Sequence, residues 1–277
     1  MNSISVENLS KEYKHFKLDN LNLSIPNGSV VGLVGANGAG KTTLIKLILG
    51  IIKKDSGTIN IIDKEEIGIV LDDAFLPDLL KINDISKIMK NIYKNWDEKQ
   101  FREYLQKFNL TNNIPIKSLS KGMKKKLEIA TSLAHNPKLL ILDEPTSGLD
   151  PIVRGEVLDI FREFMENDEH SILISSHITS DLENIADYIV LIDNGKIILN
   201  KSIMDITDNY GIIHCTKEMF EKLKNKAMNY RKNKYDYEVL IDNKKEIKRE
   251  YKDLNIDKAN IDEMMYLLLR GEKEWKD

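Results

Sequence analysis

The 277-residue chain is 42% hydrophobic and 31% charged, with a formal net charge of −3 and one cysteine. A single thiol excludes an intrachain disulfide and fits a reducing compartment, and the near-balanced charge gives no reason to expect strong nucleic-acid binding. No apolar run approaches the ~18 residues that a membrane-spanning helix needs; the longest candidate, Leu44 to Ile52, contains Lys46 and Gly50, and without a basic region followed by an apolar core at the N-terminus no signal peptide is expected.

Residues 1–30 alternate and turn: Ile4-Ser5-Val6, then Leu21-Asn22-Leu23-Ser24-Ile25, then Pro26-Asn27-Gly28. This predicts a small antiparallel sheet with a turn, to which Ser56-Gly57-Thr58-Ile59-Asn60-Ile61 would add a strand. Between them, the apolar run Val30 to Val34 leads into Gly35-Ala36-Asn37-Gly38-Ala39-Gly40-Lys41-Thr42, and a helical pattern begins at Thr43-Leu44-Ile45. The octet fits G-x-x-x-x-G-K-[ST] in the strand–loop–helix setting of a phosphate-binding loop. Its glycines let backbone N–H groups turn inward without Cβ clashes, and the positive end of the following helix favours phosphate oxygens. Residues Gly35 to Thr43 are therefore candidate nucleotide contacts. Lys41 would reach the β- and γ-phosphates, and the Thr42 hydroxyl would ligate Mg²⁺.

Residues 76–135 are helix-rich, with predicted helices over Asn83 to Lys94, Glu98 to Phe108 and Ser120 to Ala134. Ser120 suits an N-cap. Lys121, Lys124, Lys125 and Lys126 crowd the first two turns of the third helix, where cations cost roughly 0.3–1 kcal/mol each when exposed. A nearby polyphosphate would offset that cost; a solvated basic face screened by salt is the alternative. No aromatic residues interleave with these lysines, so a nucleic-acid groove is not expected. Next, Lys138-Leu139-Leu140-Ile141-Leu142 runs into Asp143-Glu144. Four apolar residues in a row suggest a strand buried on both faces of a parallel sheet, and its end is the usual ligand position of an open α/β sheet. Asp143 would hold Mg²⁺, through water, and Glu144 would polarise the attacking water; neighbouring strand residues point to opposite faces, so the two acids can differ in role.

Residues 31–50 and 137–200 alternate strand and helix, which predicts a mainly parallel α/β core. Beyond about residue 206, Gly211 to Cys215 and Tyr237 to Ile241 read as strands. Lys217 to Lys226 and Asn260 to Arg270 read as helices, the second burying Ile261, Met264, Met265, Leu267 and Leu268. This suggests a small α+β appendage with a solvated lysine-rich surface, and Cys215 as a small apolar filler.

Taken in order, these motifs resemble those of the ATPase subunit of ATP-binding-cassette (ABC) transporters over residues 1–205. Leu119-Ser120-Lys121-Gly122-Met123 stands where that family has its LSGGQ signature. Ser147-Gly148-Leu149-Asp150 resembles the D-loop. His177, after Ile172-Leu173-Ile174-Ser175-Ser176, sits at the family's switch histidine, and Tyr13 where an aromatic ring stacks on adenine. The signature with Lys121 and Met123 is most like the subgroup pairing with ABC-2 type exporter permeases. The resemblance implies an α/β P-loop NTPase core, an N-terminal antiparallel β subdomain, a helical signature subdomain over about 76–135, and 206–277 as an accessory region. It also implies a Mg²⁺-dependent ATPase coupled to a permease made of another polypeptide, held at the cytoplasmic face of the membrane. Two subunits, copies or paralogues, would sandwich ATP head to tail. Ser120, Gly122 and Asp150 would then serve the opposite subunit's nucleotide, with Glu144 and His177 catalytic.

One departure stands out. Where the family usually has a glutamine that contacts Mg²⁺, alignment from Ile67-Gly68 puts Asp72, followed by Asp73. Asp72 would offer a carboxylate to the metal instead. Phe75, Leu76, Leu79, Leu80 and Ile82 are candidates either to line a groove for a permease helix or to pack within the helical subdomain. The competing class is a soluble ABC-type ATPase acting on the ribosome or DNA. A single cassette, no long heptad insertion between Lys41 and Asp143, and no Cys pairs speak against it.

Overall fold

The structure is a computed structural model in which residues 2–72, 76–111 and 113–272 are described. The N-terminal strands β1 (Asn2–Tyr13) and β2 (Phe16–Pro26) form a hairpin, and β1 also pairs antiparallel with β4 (Ser56–Ile61). Period-2 alternation drives this sheet: Leu21, Leu23 and Ile25 of β2 all face inward and are buried, and an irregularity at Asn20, with φ +52°, brings Leu18 to the same core. Between hairpin and β4 lie β3 (Val30–Val34) and α1 (Lys41–Ile48).

The central sheet runs in the order β5 (Ile67–Val70), β6 (Leu139–Asp143), β7 (Ser171–Ser175), β3, β8 (Tyr188–Asp193), β9 (Lys196–Ser202). All its pairings are parallel except β8 with β9. Strands β3, β6 and β7 are buried at every position, as expected where helices cover both faces. The helical layer holds α2 (Ile82–Ile92), α3 (Glu98–Lys107) and α4 (Lys121–Leu133); α5 (Pro151–Phe164) and α6 (Thr179–Ile185) flank the sheet. Asp97 caps α3 through the N–H groups of Lys99 and Gln100, and Ser120 caps α4 through that of Met123.

The remaining residues give α7 (Ile203–Asn209), β10 (Gly211–Cys215), α8 (Lys217–Leu223), β11 (Asn229–Lys232), β12 (Tyr237–Ile241), α9 (Lys244–Glu250), β13 (Asp257–Lys258) and α10 (Ile261–Arg270). The sheet order is β11-β12-β10-β13. One face, with Ile212 and Leu240, joins the main core together with Ile261, Met264 and Leu267; the other, with Ile213, Val239 and Ile241, covers Phe220, Leu223 and Ile247. Cys215 is buried, and burial pushes its thiol up to about 11.

Several expectations need correction. Helix α2 spans Ile82–Ile92 rather than Asn83 to Lys94, and the α-helix from Lys217 ends at Leu223, followed by a tighter 3₁₀ turn over Lys224–Lys226. In α10 Met265 and Leu268 are only half-buried, because the buried positions fall on Ile261, Met264 and Leu267. Ile82 is in the core, while Leu76 and Leu80 pack half-buried against it and Leu79 is 90% exposed. Phe75 and Asp73 lie outside the described residues. Three of the four lysines of α4 are not a solvated face, and their charge is met within the chain; Lys121 is exposed. Lys125 and Lys126 are buried, and Lys124, Lys125 and Lys126 pair with Asp78, Glu128 and Glu156 at 2.7, 3.0 and 2.6 Å.

Candidate nucleotide-binding site

The phosphate loop is the turn from β3 into α1. Gly40 caps α1 with φ +116°, a conformation that L side chains rarely adopt, and a Cβ there would come within 2.7 Å of Leu18 Cδ2. A Cβ on Gly35 would meet the Ile192 carbonyl at 2.3 Å. The glycines at both ends of the loop are thus required by close packing as well as by the turn. Ala39 N–H donates to Ala36 O at 3.1 Å, and the turn between β8 and β9 braces the loop through Gly195 N–H to Ala39 O at 3.0 Å.

Over this loop opens a cavity of about 690 Å³. Ala36, Asn37, Gly38, Gly40, Lys41, Thr42 and Thr43 line it, with Asp72, Glu144, Ser147 and His177 around the loop and His15, Phe16 and Asn194 completing the wall. The topology explains the convergence. Lys41 and Thr42 start the helix after β3, Glu144 follows β6, His177 follows β7 and Asp72 follows β5, so all stand beyond the carboxyl ends of parallel strands.

Glu144 is the hinge of the arrangement. It is 8% exposed and holds φ +51°, a left-handed backbone that costs a non-glycine residue on the order of 1–3 kcal/mol. Its N–H donates to Ser175 Oγ and O, at 3.1 and 3.2 Å. Its carboxylate Oε2 accepts from the His177 backbone N–H at 3.2 Å and lies 2.6 Å from His177 Nδ1. The other oxygen, Oε1, is 3.5 Å from Lys41 Nζ. Lys41 itself is buried and donates to Gly35 O at 2.8 Å.

Asp143 is 0% exposed. Its Oδ1 accepts from Ser175 Oγ at 2.5 Å, while Oδ2 has no hydrogen-bond partner among the described residues. A buried carboxylate oxygen left open in this way suits a cation. Asp143 itself does not line the cavity, whereas Thr42 and Asp72 do; the Thr42 hydroxyl and the carboxylates of Asp72 and Asp143 are oxygens of the hard kind that Mg²⁺ takes, so their chemistry fits that metal. Among the described residues no group of three or more His, Cys, Asp or Glu could hold a metal unaided; a Mg²⁺ shell here would need hydroxyl and phosphate oxygens as well.

The other candidates are placed elsewhere. Tyr13 ends β1 opposite Phe16, 43% exposed with Lys11 Nζ 5.6 Å from its ring centre. The cavity is lined instead by His15 and Phe16 of the same hairpin turn. Ser120 is exposed at the start of α4, and Asp150 caps α5 by accepting from Ile152 and Val153 N–H, both at 3.1 Å. Neither lines this chain's own cavity. The two segments do adjoin: a Cβ on Gly122 would lie 3.6 Å from Leu149.

Two supporting sets were missed in the sequence. Ser175 joins Asp143 to Glu144 because the parallel register sets Asp143 beside Ser175. Asp181, buried on α6, accepts from Thr146 Oγ1 at 2.7 Å and from Arg154 Nε; Arg154 Nη2 also donates to Ser180 Oγ at 2.7 Å. That set ties the segment after Glu144 to the helix after His177. Its sequence signal is Arg154, one of two arginines in α5, which would not have been enough.

The family described as ABC transporter matches residues 18–147. The lantibiotic transport ATP-binding protein SrtF of Streptococcus pyogenes is 39% identical over 229 residues, covering 79% of this chain and 99% of the relative. The bacitracin transport ATP-binding protein BcrA of Bacillus licheniformis is 36% identical over 210 residues, covering 70% of this chain and 68% of the relative. Among solved structures, an ATP-binding subunit of an ABC transporter superposes with TM-score 0.67 at 27% identity, over 73% of this chain and 91% of that one.

Proposed function

We propose that this chain, which belongs to the ABC transporter family and is an ATP-binding, ATP-hydrolysing subunit, powers export through a separate membrane permease. The observation that carries the chemical reading is Glu144, held between the Lys41 ammonium and the His177 imidazole at the rim of the phosphate loop. Lys41 and the loop N–H groups bind the β- and γ-phosphates. Glu144 takes the proton of the attacking water as the bond to the γ-phosphorus forms, and ADP leaves. His177 fixes one oxygen of the Glu144 carboxylate, Oε2, by two contacts, through its N–H and its ring. Catalysis of this kind is mostly positioning and electrostatics. Thr42, Asp143 and Asp72 would hold Mg²⁺, which would neutralise phosphate charge.

Ser120, Gly122 and Asp150 act on the nucleotide of a second subunit, a copy or a paralogue, packed head to tail. Their position outside this chain's own cavity supports that reading. Residues 206–277 are an accessory region. Among the described residues no helix is long and apolar enough to cross a membrane, in keeping with a transport path supplied by another polypeptide and a place at the inner membrane face. The signature Leu119-Ser120-Lys121-Gly122-Met123 and the names of SrtF and BcrA support export, with peptide antibiotics as the cargo class; the permease selects the cargo.

The test is affinity isolation of the tagged full chain from detergent-solubilised membranes, with the partner identified by mass spectrometry. A stoichiometric polytopic membrane protein whose presence raises ATPase turnover is expected. Recovery of the chain on ribosomes or DNA, without such a protein, would overturn the transport reading.

A further inference from the structure

Lys125 sits on α4, the helix that begins at the signature, and is 4% exposed. An ammonium this deeply buried must have its donors satisfied. Its Nζ donates to the backbone carbonyl of Leu71 at 3.0 Å, a contact across 54 residues of sequence. It also lies 3.0 Å from Glu128 Oε2, one turn further along α4 and nearly as buried. The neighbouring lysines behave differently. Lys124 and Lys126 reach side-chain carboxylates, those of Asp78 and Glu156, whereas Lys125 grips main chain as well as a carboxylate.

The gripped atom matters. The Leu71 carbonyl and the Asp72 N–H belong to one planar peptide unit, so fixing that oxygen fixes the plane from which Asp72 departs. Asp72 lines the phosphate cavity with Lys41, Thr42 and Glu144. Stability alone does not account for this cluster, because replacing a buried ion pair by apolar side chains of similar volume is often neutral or stabilising.

We propose that Lys125 is a positioning residue for ATP hydrolysis: by holding the Leu71 carbonyl, with Glu128 steadying its ammonium, it sets where Asp72 stands in the phosphate cavity. The signature end of α4 and the Leu71–Asp72 peptide then move as one body. A displacement of the segment that meets the second subunit is read at the acid facing this chain's own nucleotide. The proposal rests on the ATPase reading of the cavity.

The test uses the full chain with Lys125→Met, which keeps length and removes the donor, Lys125→Arg, which keeps a donor, and Glu128→Gln. The first measurement is hydrogen exchange of the amides from Ile67 to Asp72 without nucleotide or metal. Lys125→Met should speed exchange there by roughly 10- to 100-fold, the scale of one lost charge-assisted hydrogen bond, while β6 and β7 stay unchanged. The second is ATPase activity against free Mg²⁺: Lys125→Met should need severalfold more Mg²⁺ for half-maximal turnover, with ATP affinity held within about twofold because the Lys41 loop is untouched. Lys125→Arg should restore most of both, and Glu128→Gln should show a weaker form of the same change. Adding Asp72→Gln to Lys125→Met should shift the Mg²⁺ curve no further, as for residues acting in series. Unchanged local exchange and a superimposable Mg²⁺ curve in Lys125→Met would overturn the proposal. So would a uniform rise in exchange across the whole fold, which marks a structural role alone. If Lys125→Met does not fold, Glu128→Gln decides by the same two readouts. Wild-type protein without Mg²⁺-dependent hydrolysis would overturn the ATPase reading itself, and this proposal with it.

Discussion

Replacing Glu144 with glutamine removes one charge and almost nothing else. The Gln carbonyl can still accept from the His177 N–H and from Nδ1, the contacts now at 3.2 and 2.6 Å, so folding stability should change by no more than about 1–2 kcal/mol. The φ of +51° is unaffected, since Glu and Gln share backbone preferences. What disappears is the group that takes a proton from water. Loss of a positioned general base costs about 10²- to 10⁴-fold, or roughly 3–5.5 kcal/mol of barrier. ATP affinity should hold or rise, because Lys41 Nζ, now 3.5 Å from the carboxylate, is left free for phosphate. The assay is steady-state phosphate release at saturating ATP and Mg²⁺, beside nucleotide binding measured with a fluorescent analogue. Sizing chromatography with ATP should also show more dimer, since hydrolysis no longer opens it. Turnover within about threefold of wild type would refute the assignment of Glu144, and a lost affinity would show that Glu144 serves binding as well as catalysis.

Asp72→Gln replaces a carboxylate by a neutral carbonyl oxygen on a stem one methylene longer; half-maximal ATPase activity should then require more free Mg²⁺, measured at fixed ATP and ionic strength, and coincident curves would leave Asp72 without a metal role. His135 gives a pH prediction. It is fully buried, stacked on Tyr93 at 3.9 Å, with Nε2 3.1 Å from Ile67 O; burial lowers its pKa below the usual imidazole value, against opposing hydrogen bonds to backbone at Ile67 and Thr131. The unfolded chain therefore takes up a proton below about pH 6.5 that the folded one resists. The stability contribution is full above that pH and declines as pH falls through it. Urea unfolding at pH 7.5 and 5.5 should show a smaller loss in His135→Gln than in wild type, and equal losses would exclude His135 as the source.

The parts legible in sequence were those whose signals are local. The Gly35–Thr42 octet, the Leu139–Leu142 run before Asp143-Glu144 and the Ser120 cap each lie within a few residues, and each occupies the predicted place in the fold. Contacts that depend on strand register or helix packing were not legible. Ser175 reaches Asp143 only because β6 and β7 align in parallel at that position, and Asp181 meets Arg154 only because α5 and α6 pack together. The α4 lysines misled because charge implies surface, whereas Glu156, the partner of Lys126, comes from a different helix. The acid beside Lys125, Glu128, was within reach of a one-turn spacing argument. Short elements such as α7 and α9 carry too few periodic positions to be read; each buries a single residue, Ile206 and Ile247.

The proposed role of the loop ending in Lys41, to bind the phosphates of ATP for hydrolysis, can be tested without a permease by comparing nucleotide affinity and turnover of Lys41→Ala with wild type. Lys41 makes a buried contact with Glu144, so circular dichroism and a melting curve must first confirm a folded variant. Losing one charge-assisted contact to phosphate, on the order of 1.5–3 kcal/mol, should weaken ATP binding by roughly 10- to 100-fold, with turnover reduced to background. A folded Lys41→Ala protein that binds and hydrolyses ATP at near wild-type levels would contradict the claim.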